Sequence, residues 1–215
     1  MSKVNTVITS DYEGHPVIAG TFKEYKYSER HLRNNLELLE SATTRHNKIL
    51  TWRMDIRLPQ SRDISKPPKE FIRSFMNSYT NKLARNGLDP DYVVKMEQET
   101  SEKPHFHIQV LVDGNKTKDY RPHVETAEVL LAEQLKLSAK EVDGLIDYCN
   151  KDRSGSQVRN GIMLRRGTPT YEERFDAVHK QMSYLAKQKD GDKIPSRERK
   201  VMYSRYNRKK CRNKD

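Results

Sequence analysis

The clearest pattern in the chain is a strict alternation of apolar and polar side chains over residues 49–58. One face of this segment is apolar and the other is mostly charged; the apolar face consists of Leu50, Trp52, Met54, Ile56 and Leu58. A period of two is typical of a strand with one buried face. Residues 92–98 and 105–112 are predicted as two further strands, and the short polar segment between them predicts a hairpin. Residues 145–148 and 161–165 are shorter candidate strands.

Apolar residues at helical spacing predict four helices. The first follows Ser28, a capping residue, and runs to about Thr44. The others cover about 69–85, which follows Pro67-Pro68, then 124–135, and then 170–188, where Thr170 and Glu173 form a capping-box pattern. Strands and helices mix irregularly, and two of the strands are predicted to form a hairpin. This order favours an α+β fold with an antiparallel sheet over a doubly wound parallel sheet.

Charge narrows the class of partner. The chain has 215 residues, 41 Lys and Arg against 30 Asp and Glu, and a formal net charge of +11. Such an excess is typical of proteins that bind a polyanion. It is concentrated in residues 189–215, which are expected to form a nucleic-acid arm or simply a solvated terminus. We therefore expect a helical lead-in over 1–46, a main domain over 47–190 and a basic tail over 191–215.

Cysteine content and hydropathy bear on the compartment. The two cysteines, Cys149 and Cys211, have no metal-ligand spacing and do not form the pattern of a disulfide-rich protein, which favours a reducing environment. No apolar run approaches the roughly 20 residues that a bilayer-spanning helix needs. We expect a soluble cytoplasmic protein that does not contact a membrane.

The predicted strand 105–112 carries the first candidate chemistry. Its apolar side chains at even positions form one face, so His105, His107 and Gln109 project from the other. Neutral imidazole is a good ligand for divalent metals, and two imidazoles on one face supply half of a coordination shell. The alternative is that both histidines are merely exposed polar residues.

An acidic residue on the preceding strand completes the pattern. Glu97 lies near the end of that strand, and a hairpin can bring it close to His105 and His107. Two histidines and one carboxylate with open positions suit a metal that also binds substrate oxygen. A phosphate substrate favours Mg²⁺ or Mn²⁺.

Tyr184, in the last predicted helix, is the candidate nucleophile. It lies off the apolar stripe, on the side of Lys180 and Lys187. A tyrosine hydroxyl has a pKa of about 10, so it needs a nearby cation or a metal-polarised phosphate to react at neutral pH. Lys187, three residues on, is such a cation. The alternative is an exposed tyrosine that stacks on nucleic-acid bases.

Four stretches together resemble the HUH endonuclease superfamily, and more narrowly the rolling-circle replication initiators of filamentous phages (inoviruses) and related prophage proteins. They are Arg53-Met54-Asp55-Ile56-Arg57-Leu58-Pro59, Lys95-Met96-Glu97-Gln98 before Pro104-His105-Phe106-His107, Gly144-Leu145-Ile146-Asp147-Tyr148, and Ser183-Tyr184-Leu185-Ala186-Lys187. The resemblance spans about 47–190 and does not extend over residues 1–45.

The resemblance implies a sheet of about five antiparallel strands with helices on one face and a metal on the open face. It assigns the metal ligands to Glu97, His105 and His107, the nucleophile to Tyr184 on the last helix, and the accompanying lysine to Lys187. Some relatives carry a second active tyrosine, which leaves a role for Tyr171 open. The implied reaction nicks and rejoins single-stranded DNA at a replication origin through a 5′-phosphotyrosine, leaving a 3′-hydroxyl for a host polymerase, with a host helicase as a further partner.

The remaining candidate residues surround this centre. Arg53, Arg57, Lys180 and Lys189 are expected to contact the DNA, and Asp55 and Gln109 to support the metal ligands. Two alternatives stay open: a module that binds single-stranded nucleic acid without cutting it, and a metal phosphoesterase that uses water. The first lacks an aromatic platform, because Trp52 and Phe106 fall on predicted core faces.

Overall fold

The structure, a computed structural model, describes residues 5–20, 24–59, 64, 66–98, 102–152, 154–188, 193–194 and 200–204. Lys189, Cys211 and most of the expected tail lie outside these residues. In chain order the elements are β1 (Thr6–Ile8), β2 (Asp11–Tyr12), β3 (His15–Pro16), β4 (Lys26–Ser28), α1 (Glu29–Arg45), β5 (Lys48–Arg57), α2 (Pro68–Arg85), β6 (Asp91–Glu97), β7 (His105–Asp113), α3 (Arg121–Leu135), α4 (Ala139–Val142), β8 (Ile146–Asp147), β9 (Ile162–Arg165), α5 (Tyr171–Ser183), a 3₁₀ turn (Tyr184–Ala186), β10 (Lys187–Gln188) and β11 (Val201–Tyr203).

A six-stranded antiparallel sheet forms the centre, in the order β11-β6-β7-β5-β8, with β9 also paired to β5. The predicted α+β class with an antiparallel sheet is confirmed, as is the hairpin of β6 and β7. The long strands form because β-branched and other apolar side chains alternate with polar ones along β5 and β7, so one face of each can be buried.

The helices lie on both faces of the sheet, and not on one face as expected. On the face lined by Trp52 and Phe106, α2 and α3 complete the larger core. On the opposite face, α1 and α5 pack against a second apolar group that includes Val93 and Leu111. The alternation explains this, because these two residues interrupt the polar face and need apolar cover. The polar side chains near Glu97 therefore lie on the same face of the sheet as the layer formed by α1 and α5.

The bounds of α1 and α2 follow the predictions closely, α3 begins three residues earlier than predicted, and two expected side-chain caps are absent. Ser28 is the residue before α1, and Thr170 the residue before α5, but neither side chain caps its helix by a hydrogen bond. A reciprocal capping box is present instead at α4, between Ser138 and Glu141. The last helix ends at Ser183, earlier than predicted, and the chain then turns into β10.

Segments on either side of residues 47–190 have places in this fold. Strand β4, just before α1, pairs with β10, and β11 forms an edge of the central sheet by pairing with β6. Helix α1 contributes Leu38 and Leu39 to the core beneath the sheet. In the described part of the chain, no helix is long and apolar enough to cross a membrane.

Candidate active site

Strand register brings the predicted site residues to one face of the sheet. Glu97 lies opposite His105 across the β6–β7 pair, and Lys95 lies opposite His107. On the other side of β7, Asp55 lies opposite His107 and Arg57 opposite His105. Because facing residues of an antiparallel pair project to the same side, these side chains form one polar cluster.

Glu97, His105 and His107 converge at the centre of this cluster. One ligand atom from each lies within 4.8 Å of the others. The Nε2 atoms of His107 and His105 are 3.2 and 3.7 Å from the same carboxylate oxygen, Oε2 of Glu97. Glu97 and His107 are buried, whereas the side chain of His105 is 27% exposed. Two imidazole nitrogens and one carboxylate oxygen fit a divalent cation, with access from the His105 side.

The carboxylate of Glu97 stays ionised despite its burial. Burial alone would raise its pKa, but hydrogen bonds to both imidazoles and the charge of Lys95 outweigh that effect and hold the pKa well below its usual range. An ionised acid is the form that binds a metal. The group can therefore hold a cation at neutral pH.

Asp55 lies behind His107. Its Oδ2 is 2.7 Å from Nδ1 of His107, so this nitrogen donates a hydrogen bond to the carboxylate. The other nitrogen, Nε2, faces Glu97 and would give up its proton to bind a cation. The guanidinium of Arg53 donates to both oxygens of Asp55, at 3.0 and 2.9 Å. Arg53 is also 3.0 Å from Nδ1 of His107. That nitrogen can make only one hydrogen bond, and it makes the shorter one, to Asp55. A carboxylate behind a histidine orients the ring as metal sites require.

Tyr184 begins the 3₁₀ turn that follows α5, next to the histidine pair. Its ring meets that of His107 edge to face, with centroids 5.1 Å apart and an interplanar angle of 89°. The Arg53 guanidinium carbon lies 4.4 Å from the Tyr184 ring centroid, and the Nζ atoms of Lys95 and Lys187 lie 5.6 and 5.8 Å from it. Three cationic groups thus lie near the tyrosine ring, of which Arg53 is paired with Asp55 and Lys95 with Glu97.

Lys187 reaches this neighbourhood from a strand and not from a helix. The helix ends at Ser183, and Lys187 is the first residue of β10. Its Nζ lies 3.4 Å from the ring centroid of Tyr25, closer than to Tyr184. Lys187 still lies near Tyr184, because the 3₁₀ turn brings the Lys187 amide to the Tyr184 carbonyl.

The other predicted residues have different surroundings. Gln109 is fully buried and donates to Thr51 and Gln181, so it ties β7 to α5 one turn before Tyr184. Arg57 and Lys180 are exposed. Arg53 faces the site, where its side chain is only 18% exposed. Tyr171 packs on Phe175 at the other end of α5 from Tyr184, with ring centroids 5.9 Å apart.

Asn160 is a supporting residue that the pattern analysis misses. β8 pairs with Asp55 and Ile56, and β9 with residues 48–51, which leaves a gap in the ladder at Arg53. The Asn160 side chain fills it, accepting from the Arg53 amide at 2.9 Å and donating to the Arg53 carbonyl at 2.8 Å. Gly161 follows at φ +72, and a Cβ there would lie 2.3 Å from the Tyr120 ring. A side-chain amide thus acts as a strand residue behind Arg53.

Three comparisons relate the chain to known proteins. A family model described as the YagK/YfjJ C-terminal domain matches residues 17–200. No curated protein is significantly similar to the chain. Among solved structures, the N-terminal nuclease domain of non-structural protein 1 from minute virus of mice matches at 8% identity over 82% of this chain and 79% of that chain, with a TM-score of 0.26. Because the TM-score is so low, this likeness does not bear on the function of the chain.

Proposed function

The chain belongs to the YagK/YfjJ C-terminal domain family, and from the geometry of its site we propose that it is a metal-dependent endonuclease of the HUH type that cuts single-stranded DNA. The observation that carries the proposal is the edge-to-face contact of Tyr184 with His107, 5.1 Å between centroids, beside three potential metal ligands. A ligand group alone fits many hydrolases. A tyrosine against one of the ligands fits a covalent mechanism.

In the proposed reaction the Tyr184 oxygen attacks the phosphorus of a phosphodiester. A tyrosine–phosphorus bond forms, the bond from phosphorus to the 3′ oxygen breaks, and that oxygen leaves as a 3′-hydroxyl after taking a proton. The tyrosine proton passes to solvent. Reversal by a 3′-hydroxyl rejoins the strand without an external energy source, because the ester is conserved in the protein–DNA bond.

Each nearby side chain has a role in this scheme. Glu97, His105 and His107 would hold the cation, which we expect to be Mg²⁺ or Mn²⁺. When bound, it would stabilise negative charge on the phosphate oxygens. Asp55 orients His107. The Arg53 guanidinium lies over the Tyr184 ring and would hold the ring in place by a cation–π contact.

DNA would approach from the exposed side of His105. Arg57, directly across the sheet from His105, and Lys180 on α5 are exposed cations suited to the phosphate backbone, and Lys189 is proposed with them. We propose that Lys187 contacts the phosphate beside Tyr184, and that Gln109 supports α5. The proposed biological role is the initiation of replication at a single-stranded origin, with a host helicase and polymerase acting on the product.

Covalent trapping tests the proposal. Wild-type protein incubated with Mn²⁺ and a pool of single-stranded DNA should give a protein–DNA adduct that survives denaturing electrophoresis. Tyr184→Phe should abolish the adduct, and Tyr171→Phe, the matched control at the first residue of α5, should leave it unchanged. Cleavage by Tyr184→Phe would favour a phosphoesterase that uses water, and binding without cleavage by the wild type would favour a binding module.

A further inference from the structure

Lys95 has an ammonium group that is almost completely enclosed between the candidate metal ligands and the Tyr184 turn. Its side chain is only 6% exposed, and its Nζ lies 2.6 Å from Oε1 of Glu97. The same Nζ donates a hydrogen bond to the main-chain carbonyl of Lys187 at 2.6 Å. Burial of an ammonium group is costly unless it has such partners. Both contacts therefore offset the cost of enclosing this ammonium group.

The contact with Lys187 bears on the nucleophile. Lys187 closes the 3₁₀ turn by donating its amide to the Tyr184 carbonyl, and its own carbonyl accepts from Lys95. A short 3₁₀ turn has few internal hydrogen bonds to fix it. The chain of contacts runs from Glu97 through the Lys95 side chain to the turn that carries Tyr184.

We propose that Lys95 is a positioning residue that holds the Tyr184 turn against the metal centre and balances the charge of Glu97 until a cation binds. Its role as a link to the nucleophile rests on the proposed function. Lys95 is two positions from Glu97 on the same strand, so alternation predicts that both side chains share a face. Alternation does not predict which groups Lys95 contacts there.

The two parts of the proposal give opposite effects in one variant. In Lys95→Met the turn loses its anchor, so covalent adduct formation should fall. The same variant removes a cation that competes for the Glu97 carboxylate, so Mn²⁺ should bind more tightly. A residue that only stabilises the fold would weaken metal binding and adduct formation together.

Two measurements separate these cases. Isothermal titration with Mn²⁺ alone should give an affinity for Lys95→Met about tenfold above wild type, of the order expected for removing one close like charge. Hydrogen exchange of the metal-free protein should be faster in Lys95→Met at the amides of residues 184–188 and unchanged in β5. Lys140→Met, at an exposed position on α4, is the matched control and should change neither.

Lys95→Arg keeps the charge and the donors and provides a second readout if Lys95→Met fails to fold. It should retain wild-type Mn²⁺ affinity and protection of residues 184–188. Weaker or unchanged Mn²⁺ binding by folded Lys95→Met, or unchanged exchange at 184–188, would overturn the proposal, as would loss of that protection in folded Lys95→Arg. If wild type forms no adduct while the titration and exchange results hold, the proposed function fails and the positioning role of Lys95 stands.

Discussion

The rings of Tyr184 and His107 contact each other edge to face, with their centroids 5.1 Å apart. This contact joins two parts of the chain that are far apart in sequence, the strand that carries the histidines and the turn after the last helix. The Nε2 of His107 is at the same time 3.2 Å from Glu97. A reacting phosphate held by the ligand group would therefore lie close to the tyrosine.

Replacing the carboxylate behind His107 should weaken metal binding. Asp55→Asn removes the charged acceptor of the 2.7 Å hydrogen bond from His107, and we expect Mn²⁺ affinity by isothermal titration to fall about 10- to 100-fold. Asp176→Asn is the matched control, since the Asp176 carboxylate is likewise 2.7 Å from a histidine nitrogen, that of His15, and this pair lies outside the ligand group. Equal affinities for Asp55→Asn and wild type would show that Asp55 does not support the metal ligand.

Arg53 and Arg57 lie on the same strand face but should respond differently to substitution. Arg53→Met leaves the carboxylate of Asp55 without its forked partner, and we expect the free energy of unfolding to fall by about 3 kcal/mol. Arg57 is exposed, so Arg57→Met should change that free energy by less than about 0.5 kcal/mol. Urea unfolding of both variants measures this, and similar losses for the two would contradict the assigned environments.

Arg57→Met should instead weaken DNA binding. Loss of one phosphate contact should lower the affinity for single-stranded DNA and reduce the slope of log affinity against log salt by about 0.7. Fluorescence anisotropy over a salt series, with Lys140→Met as control, measures both quantities. An unchanged slope would place Arg57 outside the DNA contact surface.

The Tyr25 ring is expected to hold Lys187 in place. Because the Lys187 ammonium lies 3.4 Å from the Tyr25 ring centroid, Tyr25→Leu should slow adduct formation about fivefold, equivalent to roughly 1 kcal/mol of cation–π interaction. Tyr25→Phe keeps the aromatic face and should react at the wild-type rate. A loss in Tyr25→Phe equal to that in Tyr25→Leu would assign the effect to the hydroxyl group and refute this explanation.

Asn160 should contribute to stability through the main chain of Arg53. Asn160→Ala leaves the Arg53 amide and carbonyl without their side-chain partner, and we expect a loss of about 2 kcal/mol in the free energy of unfolding. Asn77→Ala, at an exposed position on α2, is the control. A thermal melt of Asn160→Ala that coincides with wild type would show that water replaces both bonds at no cost.

The part of the site that lies on long strands is predictable from sequence. A period of two fixes which side chains share a face, so the alternation over β5 and β7 places Asp55, His105 and His107 together, and the hairpin adds Glu97. The four longer helices are predictable as well, since apolar residues at helical spacing mark their buried stripes, whereas the four-residue α4 is too short to show such spacing.

The remaining features depend on contacts between distant segments, which no local period encodes. Strand β11 and the pairing of β4 with β10 involve two or three residues each, too few to show alternation. Tyr25 approaches Lys187 only because those short strands pair. Lys95 and Asn160 act through main-chain atoms of other segments, and a residue pattern carries no information about such partners.

The most direct test of the central claim is to identify the residue that becomes linked to DNA. Adduct formed by wild-type protein with Mn²⁺ and single-stranded DNA would be digested with nuclease and protease and analysed by tandem mass spectrometry. We expect the 5′-phosphate of a nucleotide to be attached to the Tyr184 hydroxyl. Attachment to any other residue, or cleaved DNA that carries a free 5′-phosphate and no attached peptide, would contradict a mechanism in which Tyr184 is the nucleophile.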